Sequence, residues 1–233
     1  MAAGSGERLT KFLGIKKQYS LLYGDKEMFL YPIFKFLDYG FKRIVLVCPP
    51  NEKSKMQEIL RDNNLSYIEI IEGDATRQES VFNAMKYLFN NVSDEDFIYI
   101  HDGDRPLLST SLLRRIESES NRHEVIIPAL KVFDSLYDYD NKEYVDRSKY
   151  RMIQTPQVSK YKLLKEAFRL NQDHLEDFKD EGSSLTFNVD FYDDASIKFD
   201  NYNNFISIYN QRLDEIKKYN IKMISEYNND DAM

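Results

Sequence analysis

The sequence predicts an α/β fold, a mainly parallel twisted sheet flanked by helices, with one protruding β-hairpin. Three observations carry that expectation. Short apolar bursts end at Pro, Gly or Asp turns; helical spacing of apolar residues fills the intervals between them; and those intervals are long enough for the crossover helices that parallel strands need. Taken in order, residues 43–48 form a strand stopped by Pro49 and Pro50. Asn51 is placed to cap a helix over 52–61 through its side-chain oxygen. Residues 67–71 form the next strand, ended by Glu72-Gly73-Asp74, and Val81, Ala84, Met85 and Leu88 give a helix over 76–89. A strand over 97–101, a helix over 111–119 and a strand over 125–128 continue the alternation. The pattern then breaks: residues 133–145 alternate with period two around Asp140-Asn141-Lys142, which predicts a tyrosine-rich hairpin. It is either a surface hairpin or an arm reaching a second subunit, since tyrosine is enriched at interfaces. A helix over 160–171, a short strand near 187–191 and a helix over 203–219 follow. Residues 1–132 and 151–225 make one domain, 133–150 its arm and 226–233 a frayed tail.

Composition sets the class. The chain has 233 residues, 42% hydrophobic and 30% charged, enough for a real core. Acidic residues outnumber basic ones 39 to 32, a net charge of −7, so a broad basic footprint for nucleic acid is not expected. No stretch approaches the ~18 apolar residues of a membrane span, and the first residues carry no apolar signal segment. The single cysteine, Cys48, excludes an intrachain disulfide and any cysteine-only metal site, and it fits a reducing cytoplasm.

Four groups of residues could carry chemistry. Gly4-x-Gly6-x-Arg8 with Lys16-Lys17 offers backbone N–H groups and cations to a polyphosphate. It lacks the third glycine of a dinucleotide fingerprint and the Gly-Lys-Ser/Thr end of a P-loop. Gly73-x-x-x-Arg77-x-x-Ser80 lies at a strand–helix junction, where ligands bind in open α/β sheets; a plain helix cap at Thr76 explains it equally well. His101-Asp102-Gly103-Asp104-Arg105-Pro106 follows another strand, and its Asp and Arg could hold a ribose, a metal or a sugar phosphate. His101 has no partner for a nucleophilic triad and is expected to be a packed, hydrogen-bonded residue. Arg147, Gln154-Thr155-Pro156-Gln157, Asp180-Glu181 and Ile197-Lys198 are each ordinary alone.

In this order, the motifs resemble the 2-C-methyl-D-erythritol 4-phosphate cytidylyltransferases and the related ribitol-5-phosphate cytidylyltransferases. The matching elements are Ala2-Ala3-Gly4-x-Gly6-x-Arg8, Lys17-Gln18-Tyr19, Thr76-Arg77-Gln78-Glu79-Ser80-Val81, His101-Asp102-x-x-Arg105-Pro106, Asp134-Ser135, Val145-Asp146-Arg147-Ser148, Gln154-Thr155-Pro156-Gln157, Asp180-Glu181 and Ile197-Lys198. The Val-Asp-Arg-Ser element is closer to the methylerythritol branch. The resemblance implies a Rossmann-like nucleotidyltransferase fold and transfer of CMP from CTP to a sugar-alcohol phosphate, with Mg²⁺ carried mainly by the CTP phosphates and with release of pyrophosphate. It further implies Arg8, Lys17 and Lys198 on the phosphates. Ala2, Ala3, Gly4, Gly6, Ser80 and Asp102 would be on the nucleotide, and Arg105, Arg147, Thr155 and Lys179 on the acceptor. It makes the 133–150 arm a homodimerisation device, with Arg147 serving the site of the second subunit.

The sequence also departs from the family pattern. An apolar strand precedes the Ala-Ala-Gly loop in the family, whereas Met1 abuts it here, so the central sheet is expected to lack most of its first strand. Lys16 replaces a common proline, Asp74 a second glycine beside the base, Lys179 a threonine, Ser196 an asparagine and Asp104 a small residue. Two other functions compete. Asp102-Gly103-Asp104 could bind Mn²⁺ and a nucleotide sugar in a metal-dependent glycosyltransferase, and a degenerate homologue could bind nucleotide without turnover.

Overall fold

The computed structural model describes residues 1–4, 11, 14–22, 26–89 and 91–171. The strand near 187–191, the helix over 203–219 and the tail lie outside the described residues. A small antiparallel pair, β1 (Leu21–Leu22) and β2 (Lys26–Glu27), leads into α1 (Leu30–Tyr39). β3 (Val45–Cys48), α2 (Lys53–Asp62) and β4 (Glu69–Glu72) form a crossover unit whose two strands pair in parallel, Val45 opposite Glu69 through Cys48 opposite Glu72. Then come α3 (Arg77–Leu88), β5 (Phe97–Ile100), α4 (Thr110–Ser120), β6 (Val125–Ile126) and β7 (Ala129–Lys131). The arm is β8 (Leu136–Asp138) paired with β9 (Glu143–Val145); β10 (Arg151–Ile153) and β11 (Gln157–Lys160) return to the domain, and α5 (Tyr161–Asn171) follows.

The expected α/β alternation is present, but the strand pairing is more mixed than expected. Among the described residues β3–β4 is the one parallel pair. β11 runs antiparallel between β5 and β6, and β10 antiparallel to β7. Among the described residues β3 and β5 do not pair with each other. Instead Met1 and Ala2 join them: Ala2 N donates to Val47 O at 2.8 Å and Met1 N to His101 O at 2.6 Å. Beneath this bridge lies a cleft of about 410 Å³ lined by Val45, Val47, Ile98, Ile100, Val81 and Phe36 among others. Met1 and Ala2 thus lie between β3 and β5 and are bonded to the chain of both.

Local signals explain the element ends. α3 opens with a capping box, Thr76 Oγ1 accepting from Glu79 N while the Glu79 carboxylate accepts from Thr76 N. Ser109 Oγ caps α4 by accepting from Leu112 N. Gly40, at φ 111°, ends α1 by donating back to Phe36 O and Leu37 O. The expected Asn51 cap is not made. Asn51 takes φ 63°, its N–H donates to Glu72 Oε1, and α2 starts from Glu52 without a side-chain cap. A left-handed residue cannot present the extended backbone that an N-cap needs.

Among the described residues three apolar clusters make the core. Phe29, Leu30, Ile33, Met56 and Leu60 pack with Leu46 and Cys48 of β3; Val81, Met85, Leu88, Tyr161, Leu164 and Phe168 pack with Ile100 of β5; and Phe36, Leu108 and Leu113 form the third. Each fully buried large apolar side chain contributes about 1.5–3 kcal/mol. Cys48 belongs to the first cluster, and burial pushes its thiol up to about 11, so it stays protonated at neutral pH and serves as core.

Candidate active site

The carboxyl ends of β3, β4 and β5 meet around Met1–Gly4. Gly73 N, just beyond β4, donates to Cys48 O at 2.8 Å, and Gly103 N, just beyond β5, donates to Met1 O at 2.6 Å. Three chain segments cross here at backbone distance. A Cβ on Gly73 would sit 2.6 Å from Ser80 Oγ and 2.7 Å from the Ala3 Cβ, so only glycine fits. Among the described residues nothing lies within 4 Å of where a Gly4 Cβ would be. The Ser80 hydroxyl is buried and accepts from Asp74 N at 2.8 Å. The Asp74 carboxylate folds back, accepting from Ala75 N at 2.9 Å and Asn83 Nδ2 at 3.3 Å, so it is tied to the start of α3 rather than directed away from it.

Lys17 stands on a one-turn 3-10 helix, Lys17–Tyr19, beside this edge. The turn is held from below. Lys16 Nζ and Tyr19 Oη both bond the Glu52 carboxylate, at 2.7 and 2.5 Å, and Lys55 lies over the Tyr19 ring at 3.7 Å. Burial works to raise the Glu52 pKa, but the bonds from Lys16 and Tyr19 outweigh it and hold the carboxyl below its ordinary value. Buried Gln18 donates from Nε2 to Gly4 O at 3.1 Å, joining this turn to the glycine loop. The Lys17 ammonium, partly exposed, pairs with Asp104.

Asp102 is the centre of the second cluster. Its Oδ1 accepts from Arg77 Nε at 3.2 Å and Nη2 at 3.1 Å; its Oδ2 accepts from Arg105 Nε at 3.2 Å. Burial opposes ionisation of Asp102, but Arg77 and Arg105 keep its carboxyl below the ordinary value. Arg105 Nη1 also donates to Gln154 Oε1 at 2.8 Å. Thr155 Oγ1 meets His101 Nδ1 at 2.9 Å and accepts from Asp102 N at 3.4 Å, while His101 Nε2 lies 3.0 Å from Arg105 O. Buried His101 thus ties the 101–106 loop to the 154–157 turn, and desolvation lowers its pKa to about 4. It is the packed, hydrogen-bonded residue that the sequence suggests.

The structure therefore brings Ala2, Ala3, Gly4, Lys17, Ser80, Asp102, Arg105 and Thr155 to one edge. Ser80 and Thr155 use their hydroxyls inside that scaffold. Arg147 is elsewhere, in a 3-10 turn at the foot of the arm, donating to Phe133 O. Gly6, Arg8, Lys179 and Lys198 lie outside the described residues. Two site members have no role legible in sequence alone. Arg77 stands in its motif without one, because its partner Asp102 is 25 residues away; Gln154 likewise acquires one only through Arg105. Among the described residues such an edge offers backbone donors and cations but no activated nucleophile, which suits the binding of a phosphorylated ligand. Among the described residues no three His, Cys, Asp or Glu side chains converge as a metal cage.

Known proteins resemble this chain over most of its length. Residues 1–188 match the family model described as IspD, 2-C-methyl-D-erythritol 4-phosphate cytidylyltransferase. A 2-C-methyl-D-erythritol 4-phosphate cytidylyltransferase of Thermosipho melanesiensis is 33% identical over 183 residues, 77% of this chain and 79% of that one. The solved bifunctional IspDF of Campylobacter jejuni is similar at a TM-score of 0.63 and 31% identity, over 77% of this chain and 44% of that chain. The cytidylyltransferase of Thermus thermophilus shares the fold at a TM-score of 0.64 and 20% identity, over 88% of this chain and 94% of that one. With a family model matched over most of its length, the chain belongs to the 2-C-methyl-D-erythritol 4-phosphate cytidylyltransferase family.

Proposed function

We propose that the protein transfers CMP from CTP to 2-C-methyl-D-erythritol 4-phosphate, releasing pyrophosphate, as a step of isoprenoid-precursor synthesis. The family match is the observation that carries this. The strand-end edge supplies the chemistry. An acceptor phosphate oxygen attacks the α-phosphorus in line, the bond to the bridging oxygen breaks, and pyrophosphate leaves with both electrons of that bond. Catalysis of this kind is positioning plus charge stabilisation. Lys17, with Arg8 and Lys198, neutralises the phosphates. Ala2, Ala3, Gly4 and Gly6 let the backbone approach the nucleotide, and Ser80 holds the 73–74 turn beside it. Asp102 acts through Arg77 and Arg105, fixing two guanidinium groups at the mouth. Arg105 and Thr155, with Lys179, define the acceptor side, and Arg147, carried on the arm, serves the acceptor side of the second subunit.

Mg²⁺ fits as an ion carried by the triphosphate. Asp102 already serves two arginines and Asp104 serves Lys17. Phosphate oxygens would then supply most of its ligands, as Mg²⁺ prefers. When bound it neutralises phosphate charge. The arm is read as the contact of a homodimer, because Phe133, Tyr137, Tyr139 and Tyr144 are exposed along it. A cytoplasmic setting is the natural one for a step that draws on CTP.

The test is pyrophosphate release from purified protein with CTP and Mg²⁺, with methylerythritol phosphate and ribitol phosphate in parallel. Release with methylerythritol phosphate supports the proposal. Release with ribitol phosphate alone moves the substrate to the related branch, and silence with both refutes transferase activity.

A further inference from the structure

Asp104 has no role in the chemistry above, yet it holds the cation that the chemistry uses. Lys17 rests on a turn pinned by Glu52 through Lys16 and Tyr19, and by Gln18 through Gly4. Asp104 rests on a loop pinned by Gly103 N to Met1 O, by Arg105 N to Asp102 O and by His101 to Arg105 O. Two fixed backbones thus present one ammonium and one carboxylate to each other, next to the residue, Gln18, that bonds Gly4 O. Among the described residues Lys17 is the one ion-pair partner shown for Asp104, whereas Asp102 in the same loop serves two arginines. The Lys17 and Asp104 side chains are 40% and 28% exposed, so a ligand arriving from solvent can reach both. An ion pair this open is weak and exchanges readily for a stronger anion.

We infer that Asp104 is an affinity-determining residue of the nucleotide site, a resident anion that a triphosphate displaces from Lys17. The inference rests on the proposed function, which gives Lys17 to the CTP phosphates. Before nucleotide binds, the Asp104 carboxylate engages the ammonium. When the triphosphate arrives, Lys17 changes partner, and Asp104 is left as a like charge near the phosphates. Both effects weaken nucleotide binding. In exchange, the cation is held at the mouth before the ligand comes, with fewer rotamers to lose.

The test is a double-mutant cycle read by calorimetric titration with CTP and Mg²⁺. It uses the full chain as wild type, Asp104→Asn, Lys17→Ala and the double variant. Asp104→Asn keeps the side-chain shape, and Asp104→Ser is a second variant should the first misfold. Removal of the carboxylate is expected to tighten CTP binding by about 3–10-fold when Lys17 is present, and to lower the CTP KM in the same proportion. The gain should be clearly smaller in the Lys17→Ala background, since no ammonium is then released. An equal gain in both backgrounds, no gain, or weaker binding overturns the inference while leaving the transferase reading intact. Wild-type protein that binds no CTP overturns both.

Discussion

The strand-end edge and the arm use polar and aromatic residues in opposite ways. At the edge, Gln18, Ser80, His101 and Thr155 are buried, and each has a hydrogen-bond partner within a web that crosses from residue 4 to residue 155. On the arm, Tyr139, Tyr144 and Phe133 are 85%, 79% and 76% exposed, and the hairpin is held by its strand pairing, the Asp138 carboxylate at its turn, Arg147 at its foot and a Tyr137–Tyr144 edge contact. A buried polar web is costly to leave half-made, so the edge is rigid before any ligand arrives. The reverse holds for an exposed aromatic hairpin, whose surface is stabilising only against something else. The edge is built within one chain, whereas the role proposed for the arm lies in contact with a second.

Substitutions should separate the two regions, in a graded way. The largest effect is expected at Lys17. Lys17→Ala should lower the transfer rate by about 10²–10³-fold in a pyrophosphate-release assay while thermal stability changes little, because the side chain is partly exposed. Near-normal turnover would remove the phosphate role. Next is a pH effect confined to the edge. His101 has its pKa lowered to about 4 from the ordinary 6.5 by burial, so between those values the unfolded chain binds more protons than the folded one. Stability is then fully present above about pH 6.5 and falls as pH drops toward 4, by on the order of 3 kcal/mol. Urea unfolding at pH 7 and pH 5 should show about 2 kcal/mol of this loss, and His101→Gln should flatten the slope. Smaller again is Gly73→Ala, whose Cβ would meet Ser80 and Ala3; about 1–3 kcal/mol of stability should be lost in thermal unfolding. The smallest change in fold stability belongs to the arm. Tyr144→Ala should cost the monomer only about 0.5–1.5 kcal/mol through the lost ring contact. In sedimentation it should shift the protein toward monomer, and an unchanged oligomeric state would leave the arm without its assigned role.

The parts of this protein legible in its sequence are those written locally. The strands β3, β4 and β5 are apolar bursts between breakers, and the caps of α3 and α4 follow from Thr76 and Ser109. The hairpin shows in its alternation. Helix α1 is not among the expected elements, although Leu30, Ile33 and Phe36 recur at helical spacing and Gly40 ends it; Pro32 and the aromatic neighbours mask the period. β7, β10 and β11 are short strands whose pairing is decided by distant partners, and Val158 and Ser159 of β11 are both buried, so no alternation marks them. The candidate residues are legible through their motifs, but their partners are not. Neither the Arg77–Asp102 contact nor the Lys17–Asp104 pair follows from spacing, since both join segments that only the folded sheet brings together.

The most direct test of the account is a backbone amide titration of isotope-labelled protein with CTP and Mg²⁺. The expected result is that shifts concentrate at Ala2–Gly4, Lys17–Gln18, Gly73–Asp74 and Asp102–Arg105, while Tyr137–Tyr144 stay in place. Shifts concentrated on the arm, or none at the strand ends under saturating nucleotide, would contradict the assignment of the site to that edge.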